Sequence, residues 1–252
     1  MGELHLQIYA ERMRREYLIG VAVGNPTVNY RETISERTEF NYLHKKQSGG
    51  AGQFARVMGY LEPIPESENP ERGCQFQDKT EGMNIPHEYI PAIEKAFHEQ
   101  VKQGPNTGYP VISTRMVLTD GQTHVVDSSS MAFMLATKYA FSQTFLRAGP
   151  LILEPIMSVT VEVPLEYQSS IMATLTKRQG SVTNTTSTSE YFTIQADVPL
   201  SQMFGYATEL RGETQGMGEF SMEYVRHEAL NPFEAEKVAA QFKKLKELRD
   251  KE

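Results

Sequence analysis

Two short runs of this 252-residue sequence gather side chains capable of chemistry. In Asp120-Gly121-Gln122-Thr123-His124-Val125-Val126-Asp127-Ser128-Ser129-Ser130, a histidine stands beside an aspartate and three serines, the residue types of a base, its orienting carboxylate and a nucleophile. No GxSxG elbow accompanies them, and a catalytic triad is defined by geometry rather than by adjacency in sequence. The plainer reading is a turn at Asp120-Gly121, an exposed His124, and Asp127 or Ser128 capping the helix that follows. The second run is Lys45-Lys46-Gln47-Ser48-Gly49-Gly50-Ala51-Gly52-Gln53, whose glycines let the backbone approach another molecule closely. It is not a P-loop, because GxxxxGK[ST] is incomplete and a strand, not a helix, follows. Its two readings are a flexible hairpin tip with solvated lysines, and backbone-and-lysine contact with RNA phosphate.

Weaker candidates lie further on. Thr176-Lys177-Arg178-Gln179-Gly180 places two cations at a helix end, where the helix dipole already favours them. Gly205-Tyr206-Ala207-Thr208-Glu209-Leu210-Arg211-Gly212 fits helix-to-sheet packing as well as ligand contact. The six histidines show no HxH or HExxH spacing, and the single Cys74 forms neither a CxxC nor an intramolecular disulfide. No metal is expected, and the compartment reads as reducing.

The composition is that of a globular chain, with 39% hydrophobic and 23% charged residues. No uninterrupted apolar stretch is long enough for a membrane helix, and the N-terminus lacks the basic-then-apolar order of a signal peptide. The net charge of -7 argues against a protein that coats nucleic acid. That charge is unevenly spread: residues 1–60 carry +2, whereas residues 151–230 carry -6. Any RNA contact therefore falls to particular loops.

The elements that must position these runs follow from periodicity. Leu6, Tyr9, Met13 and Tyr17 mark a helix stopped by Gly20, with a short strand at Val21–Val23. Strands are expected over Val28–Ile34, Phe40–His44, Gln53–Leu61, Cys74–Phe76 and Tyr109–Thr119. Between them Pro91, Ile93, Phe97 and Val101 mark a helix, and a second runs from Met131 to Phe145. After Gly149-Pro150 the order is strand 156–163, helix 164–178, a strand at Val182, a Ser/Thr/Asn turn at 183–189, strand 191–198, helix 199–210 and strand 218–225. This is the split βαβ of ferredoxin-like domains. A charged helix over 232–251 closes the chain, its apolar stripe of Phe233, Val238, Phe242, Leu245 and Leu248 suited to docking on the protein's own surface.

Six motifs in order carry a resemblance: Met1-Gly2-Glu3-Leu4-His5-Leu6, Tyr30-Arg31-Glu32-Thr33-Ile34, Lys46 to Gln53, Val126-Asp127-Ser128-Ser129, Leu153-Glu154-Pro155-Ile156-Met157, and Pro199 to Thr208. Together they closely resemble translational elongation factor G. His44-Lys45-Lys46 followed by Ala51 is most similar to the mitochondrial branch. The resemblance implies an α+β chain: residues 1–28 as the end of the third domain, 29–150 as a fourth domain of ribosomal-protein-S5-domain-2-like fold with a left-handed crossover, 151–230 as a ferredoxin-like fifth domain, then a C-terminal helix over 231–252. It implies a GTPase domain, with its GTP and Mg, outside these residues, so this chain is expected to be no enzyme and to hold no cofactor itself.

The implied partner is the ribosome, chiefly decoding-region RNA of the small subunit with tRNA and mRNA, and the GTPase-associated region of the large subunit. A monomer without membrane contact is expected, in the mitochondrial matrix, or in the cytoplasm if the source is bacterial. Carried over by matched position, Ser48, Gly49, Gly50, Ala51, Gly52 and Gln53, with Lys45 and Lys46 beside them, join Gly121, Gln122, Thr123 and His124 in a tip that enters the decoding site during translocation. Lys177 and Arg178 are implied contacts of the fifth domain. Ser130, Met217 and the glycine-free helix at 168–174 depart from the family pattern. Two rival readings are a ribosome-recycling or ribosome-protection relative, and a small Ser/His hydrolase built on His124, Asp127 and Ser128 or Ser129.

Overall fold

The computed structural model describes residues 3–22, 26–47, 52–69 and 71–249. It divides into two compact units: residues up to Asn29 with Glu154–Glu228, and Tyr30–Leu153 with the residues from Ala229 on. The first helix, α1 (Glu3–Glu16), carries the ion pairs Arg12–Glu16 and Arg15–Glu11 at i,i+4 spacing. Ile8, Tyr9 and Met13, from its apolar stripe, are about half exposed. The strand expected at Val21–Val23 does not form at 21–22, where among the described residues no strand pairs with this segment; residue 23 lies outside them.

The unit around Tyr30–Leu153 is built on strands β1 (Arg31–Ile34), β2 (Thr38–Lys46), β3 (Gln53–Pro63), β4 (Gln75–Asp78) and β5 (Thr114–Gln122), with helices α2 (Ile90–Gln100) and α3 (Ser130–Arg147). One sheet runs β2-β3-β5-β4; β2-β3 and β3-β5 are antiparallel, while β4 and β5 are parallel and joined through α2. Alternation sorts its faces. Phe40, Ala55, Val57, Leu61, Met116 and Leu118 point inward, and the helices meet them with Ile93, Phe97, Phe133, Ala136, Ala140, Phe141 and Phe145. Pro91 sits in the first turn of α2, where its missing N–H costs nothing.

The first strand is shorter than expected, Arg31–Ile34 in place of Val28–Ile34, and both expected ends of β5 move for a physical reason. Residues 109–113 do not extend β5: Glu32 and Val111 form only an isolated bridge, and Ser113 turns the chain at φ 51°. At its other end, β5 runs through Asp120-Gly121 instead of turning there. The Asp120 carboxylate accepts the Gly121 N–H at 2.7 Å and Asn84 Nδ2 at 2.9 Å, and a bulge opposite Met58/Gly59 absorbs the irregularity. Gly59 has no room for a Cβ, which would lie 2.0 Å from the Val117 carbonyl oxygen.

A buried carboxylate fixes the α2–β5 connection. Glu32 is fully buried and accepts from Thr107 N–H (2.7 Å), Thr107 Oγ1 (2.6 Å) and Asn106 N–H (3.2 Å). Burial raises its pKa, and the donors act in the opposite direction. On the same connection Gly108 adopts φ 76°, and a Cβ there would meet the Phe242 ring at 2.6 Å.

Strand β6 (Pro150–Pro164) starts in this unit, pairing Pro150–Leu153 with β1, and continues into the other. There it is followed by α4 (Gln168–Lys177), β7 (Ser181–Ser187), β8 (Tyr191–Pro199), α5 (Leu200–Met203), α6 (Tyr206–Glu213) and β9 (Glu219–Ala229). The strand order β9-β6-β8-β7 is ferredoxin-like. Its core joins Val159, Val161, Ile171, Leu175, Ile194, Val198, Tyr206 and Leu210. The Ser/Thr/Asn stretch expected as a turn is mostly strand β7, because threonine suits a pleated edge and the turn needs only residues 188–190. The helix expected over 199–210 is broken at Gly205, whose φ of 77° starts α6 afresh. Last comes α7 (Pro232–Arg249); its Phe233 is 64% exposed beneath Lys237 Nζ, so that ring does not dock.

Candidate functional site

The two chemistry-bearing runs meet at one end of the β2-β3-β5 sheet. Lys46 pairs with Gln53 and Lys45 with Phe54, so the glycine run is the connection of the β2–β3 hairpin. Ser48, Gly49, Gly50 and Ala51 lie outside the described residues; Gly52 and Gln53 are within them. On the other side of β3, Gln122 pairs with Arg56 and Gly121 with Val57, which makes Gly121 and Gln122 strand residues and leaves Thr123–Ser128 as the loop.

That loop is tied to the hairpin by its serine and aspartate. Phe54 N–H donates to the Asp127 carbonyl at 2.9 Å. Ser128 Oγ donates to the Phe54 carbonyl at 2.7 Å and accepts the His124 N–H at 2.8 Å. Ser129, rather than Asp127 or Ser128, caps α3 by accepting from Ala132 N–H at 3.2 Å. Both hydroxyls are thus engaged with backbone, and among the described residues neither is hydrogen-bonded to the His124 imidazole. The arrangement lacks the nucleophile–base contact that a hydrolase needs.

His124 and Asp127 have a different relation. Nδ1 of His124 accepts from the Asp127 N–H (3.2 Å) and the Val126 N–H (3.4 Å), and it also lies 3.3 Å from Asp127 Oδ2. These uses exclude one another, since the amides need a lone pair on Nδ1 and the carboxylate needs a proton there. A neutral ring protonated on Nε2 keeps both amide bonds and leaves Nε2–H as a donor on a half-exposed side chain. The Phe54 ring lies beside it, centroids 5.9 Å apart. Lys45, Lys46, Gln47, Gly52, Gln53, Phe54, His124 and Asp127 together line a cleft of ≈ 220 Å³. Gly52 leaves room at its wall for the Asp127 carboxylate, since a Cβ would come 2.8 Å from Asp127 Cγ. Beyond the cleft Val125 and Val126 are almost wholly exposed. Such a site offers hydrogen-bond donors and two lysine charges to an anionic or polar partner.

Phe54 was not legible as a site residue, because an aromatic after a glycine run reads as strand packing; Asp127 reads from the sequence both as a cap and as the carboxylate beside His124, and the structure keeps the second relation while Ser129 takes the cap. The strand register is the signal that joins them. His44 was likewise unassigned; its Nε2 is 2.9 Å from Gln53 Oε1, and Tyr139 stacks with both His44 and Tyr42.

Lys177 and Arg178 are not part of this tip. Lys177 is exposed, but Arg178 is turned inward. It donates to Glu209 Oε2 through Nε (2.8 Å) and Nη2 (2.5 Å) and through Nη1 to the carbonyls of Gln202 and Phe204. This fork secures the break between α5 and α6, and it competes with any external contact. Among the described residues no group of three or more His, Cys, Asp or Glu could hold a metal, and no helix is long and apolar enough to cross a membrane.

Residues 26–149 match the family described as elongation factor G, domain IV, and residues 151–238 match elongation factor G C-terminus. The chain is 50% identical over 241 residues to mitochondrial elongation factor G-1 of Arabidopsis thaliana, covering 95% of this chain and 32% of that protein. It is 48% identical over 242 residues to mitochondrial elongation factor G of Drosophila virilis, covering 96% of this chain and 32% of the relative. The chain thus spans about a third of the length of these curated relatives. A crystal structure from Thermus thermophilus superposes with a TM-score of 0.82 at 32% identity, over 96% of this chain and 36% of that one.

Proposed function

The chain belongs to the elongation factor G family, as its domain IV and C-terminal region, and from that membership we propose that it is the ribosome-engaging part of a mitochondrial factor that promotes tRNA–mRNA translocation. The observation that carries the reading is the joining of the β2–β3 hairpin and the Thr123–Ser128 loop into one tip presenting Lys45, Lys46 and His124. In this reading the tip enters the decoding region of the small subunit as tRNA leaves it. The sheet supplies a rigid stem, and exposed amides and lysines meet RNA phosphate there. Nε2–H of His124 serves as a donor aimed outward from a loop whose shape the serine and aspartate bonds already set. GTP hydrolysis, with GTP and Mg, belongs to a part of the factor outside these residues, and the chain itself works without catalysis. The exposed Lys177 is the remaining candidate for contact by the ferredoxin-like domain with the large subunit's GTPase-associated region.

The test replaces His124 by Ala in the full-length factor and measures single-turnover translocation and ribosome-stimulated GTP hydrolysis separately. Translocation is expected to slow by at least about tenfold, the loss of about 1.4 kcal/mol of transition-state stabilisation, while hydrolysis is retained. Unchanged translocation removes His124 from the mechanism. A wild-type factor that splits ribosomal subunits with a recycling factor, and does not translocate, overturns the assignment in favour of a recycling relative.

A further inference from the structure

A second groove, of ≈ 500 Å³, opens on the same unit at the far end of the sheet from the tip, where Arg37, Glu39, Asn41, Met58, Tyr60 and Arg147 contribute to its walls. Tyr60 is seven residues along β3 from Gln53, about 23 Å at the rise of a strand. The guanidinium of Arg37 lies over the Tyr60 ring, Cζ 3.6 Å from its centroid. Arg147, in the last turn of α3, is the second cation. Both are exposed, and among the described residues neither forms an ion pair.

An arginine stacked on an aromatic ring is already oriented, so less side-chain freedom is lost when its N–H groups bind a phosphate. Its outer face remains a flat cationic surface on which an unstacked base can lie. Glu39 is the one carboxylate in the groove; it repels phosphate at its own position and accepts a hydroxyl hydrogen well. We propose that this groove is a second RNA-contact site, which binds single-stranded RNA with phosphates at Arg37 and Arg147, a base against the Arg37 guanidinium, and a ribose 2′-hydroxyl donating to Glu39. The site deepens the reading of the chain as an RNA-engaging body and is separate from the tip.

The test measures fluorescence anisotropy of the 252-residue chain with a labelled single-stranded RNA of mixed sequence, and with DNA of the same sequence, over a series of salt concentrations. R37A/R147A is expected to weaken RNA binding about tenfold and to make the log–log salt slope shallower by about 1.4, two phosphates at about 0.7 each. R37K, which keeps the charge and loses the planar stack, should fall between. Unsubstituted chain should prefer RNA to DNA, and E39A should remove that preference. Wild-type affinity and slope in R37A/R147A overturn the proposal, as does a wild-type chain without measurable RNA binding at low salt; equal affinity for RNA and DNA overturns the part assigned to Glu39. Co-sedimentation of the same proteins and of K45A/K46A with mitochondrial ribosomes separates the two readings. Binding that K45A/K46A weakens and R37A/R147A leaves intact removes the groove and keeps the tip, whereas a full-length factor that does not co-sediment removes the ribosome reading itself.

Discussion

At the tip, one nitrogen atom decides between two states. Nδ1 of His124 can hold two backbone amides or, once protonated, the Asp127 carboxylate, and Gly52 leaves the space in which that carboxylate sits. Gly52→Ala should therefore turn Asp127 away from its present position while leaving global stability within about 0.5 kcal/mol, since the neighbour that must move is the end of a side chain. Shifted His124 ring resonances with an unchanged melting temperature would bear this out, and unchanged resonances would refute it. Two carboxylates should titrate in opposite senses. Glu32 has a folded pKa above its unfolded one, so its contribution to stability is present below about pH 4.3 and is lost as pH rises through the folded value. Asp120, lowered first by the Asn84 hydrogen bond and then by the Gly121 N–H, contributes above about pH 3.9 and loses that contribution as pH falls through its folded value. Carbon-detected NMR titration should place Glu32 above and Asp120 below the ordinary carboxyl range. The importance of Glu32 could not be seen in the sequence, where it is one acid among 32 Asp and Glu residues; only the folded connection surrounds it with donors.

Elements were more legible than their ends. The long helices and the β2–β3 hairpin follow from periodicity, because burying one face fixes which residues must be apolar. Boundaries failed where a polar side chain decided between alternatives. Asp120-Gly121 has turn composition, but the Asp120 carboxylate is held by Asn84, remote in sequence, so β5 continues. Of the serines at 128–130, Ser128 is drawn to Phe54 by tertiary contact and leaves Ser129 as the cap. Ser129→Ala should cost about 1 kcal/mol in chemical denaturation, and Ser129→Asp should recover it; full stability in the alanine variant would mean that the cap is replaceable by water. Gly59→Ala should cost at least about 2 kcal/mol, because the obstacle is the Val117 backbone carbonyl and not a side chain.

On the scale of the whole chain, each unit has its own apolar cluster. Phe141→Ala in the first of these clusters should cost about 3–5 kcal/mol, with amide protection falling across Tyr30–Leu153. The ferredoxin-like order was legible because most of its strands and helices are locally marked, although β7 has the composition of a turn. The membership of α7 was not, since it rests on a contact of Phe242 with a glycine at position 108 that no local pattern announces. This contact bears on the order of folding. The unit that contains Gly108 is interrupted by Glu154–Glu228 and resumes afterwards, so α7 must close a very long loop, at an entropic cost that grows as the logarithm of its length. Pairing of β6 with β9 brings the two ends of the interrupting segment together, and Leu230 N–H then reaches the Ile152 carbonyl at 2.9 Å. Once the ferredoxin-like body has folded, the loop left for α7 to close is short, and the interruption becomes a clasp that presents the final helix to its seat.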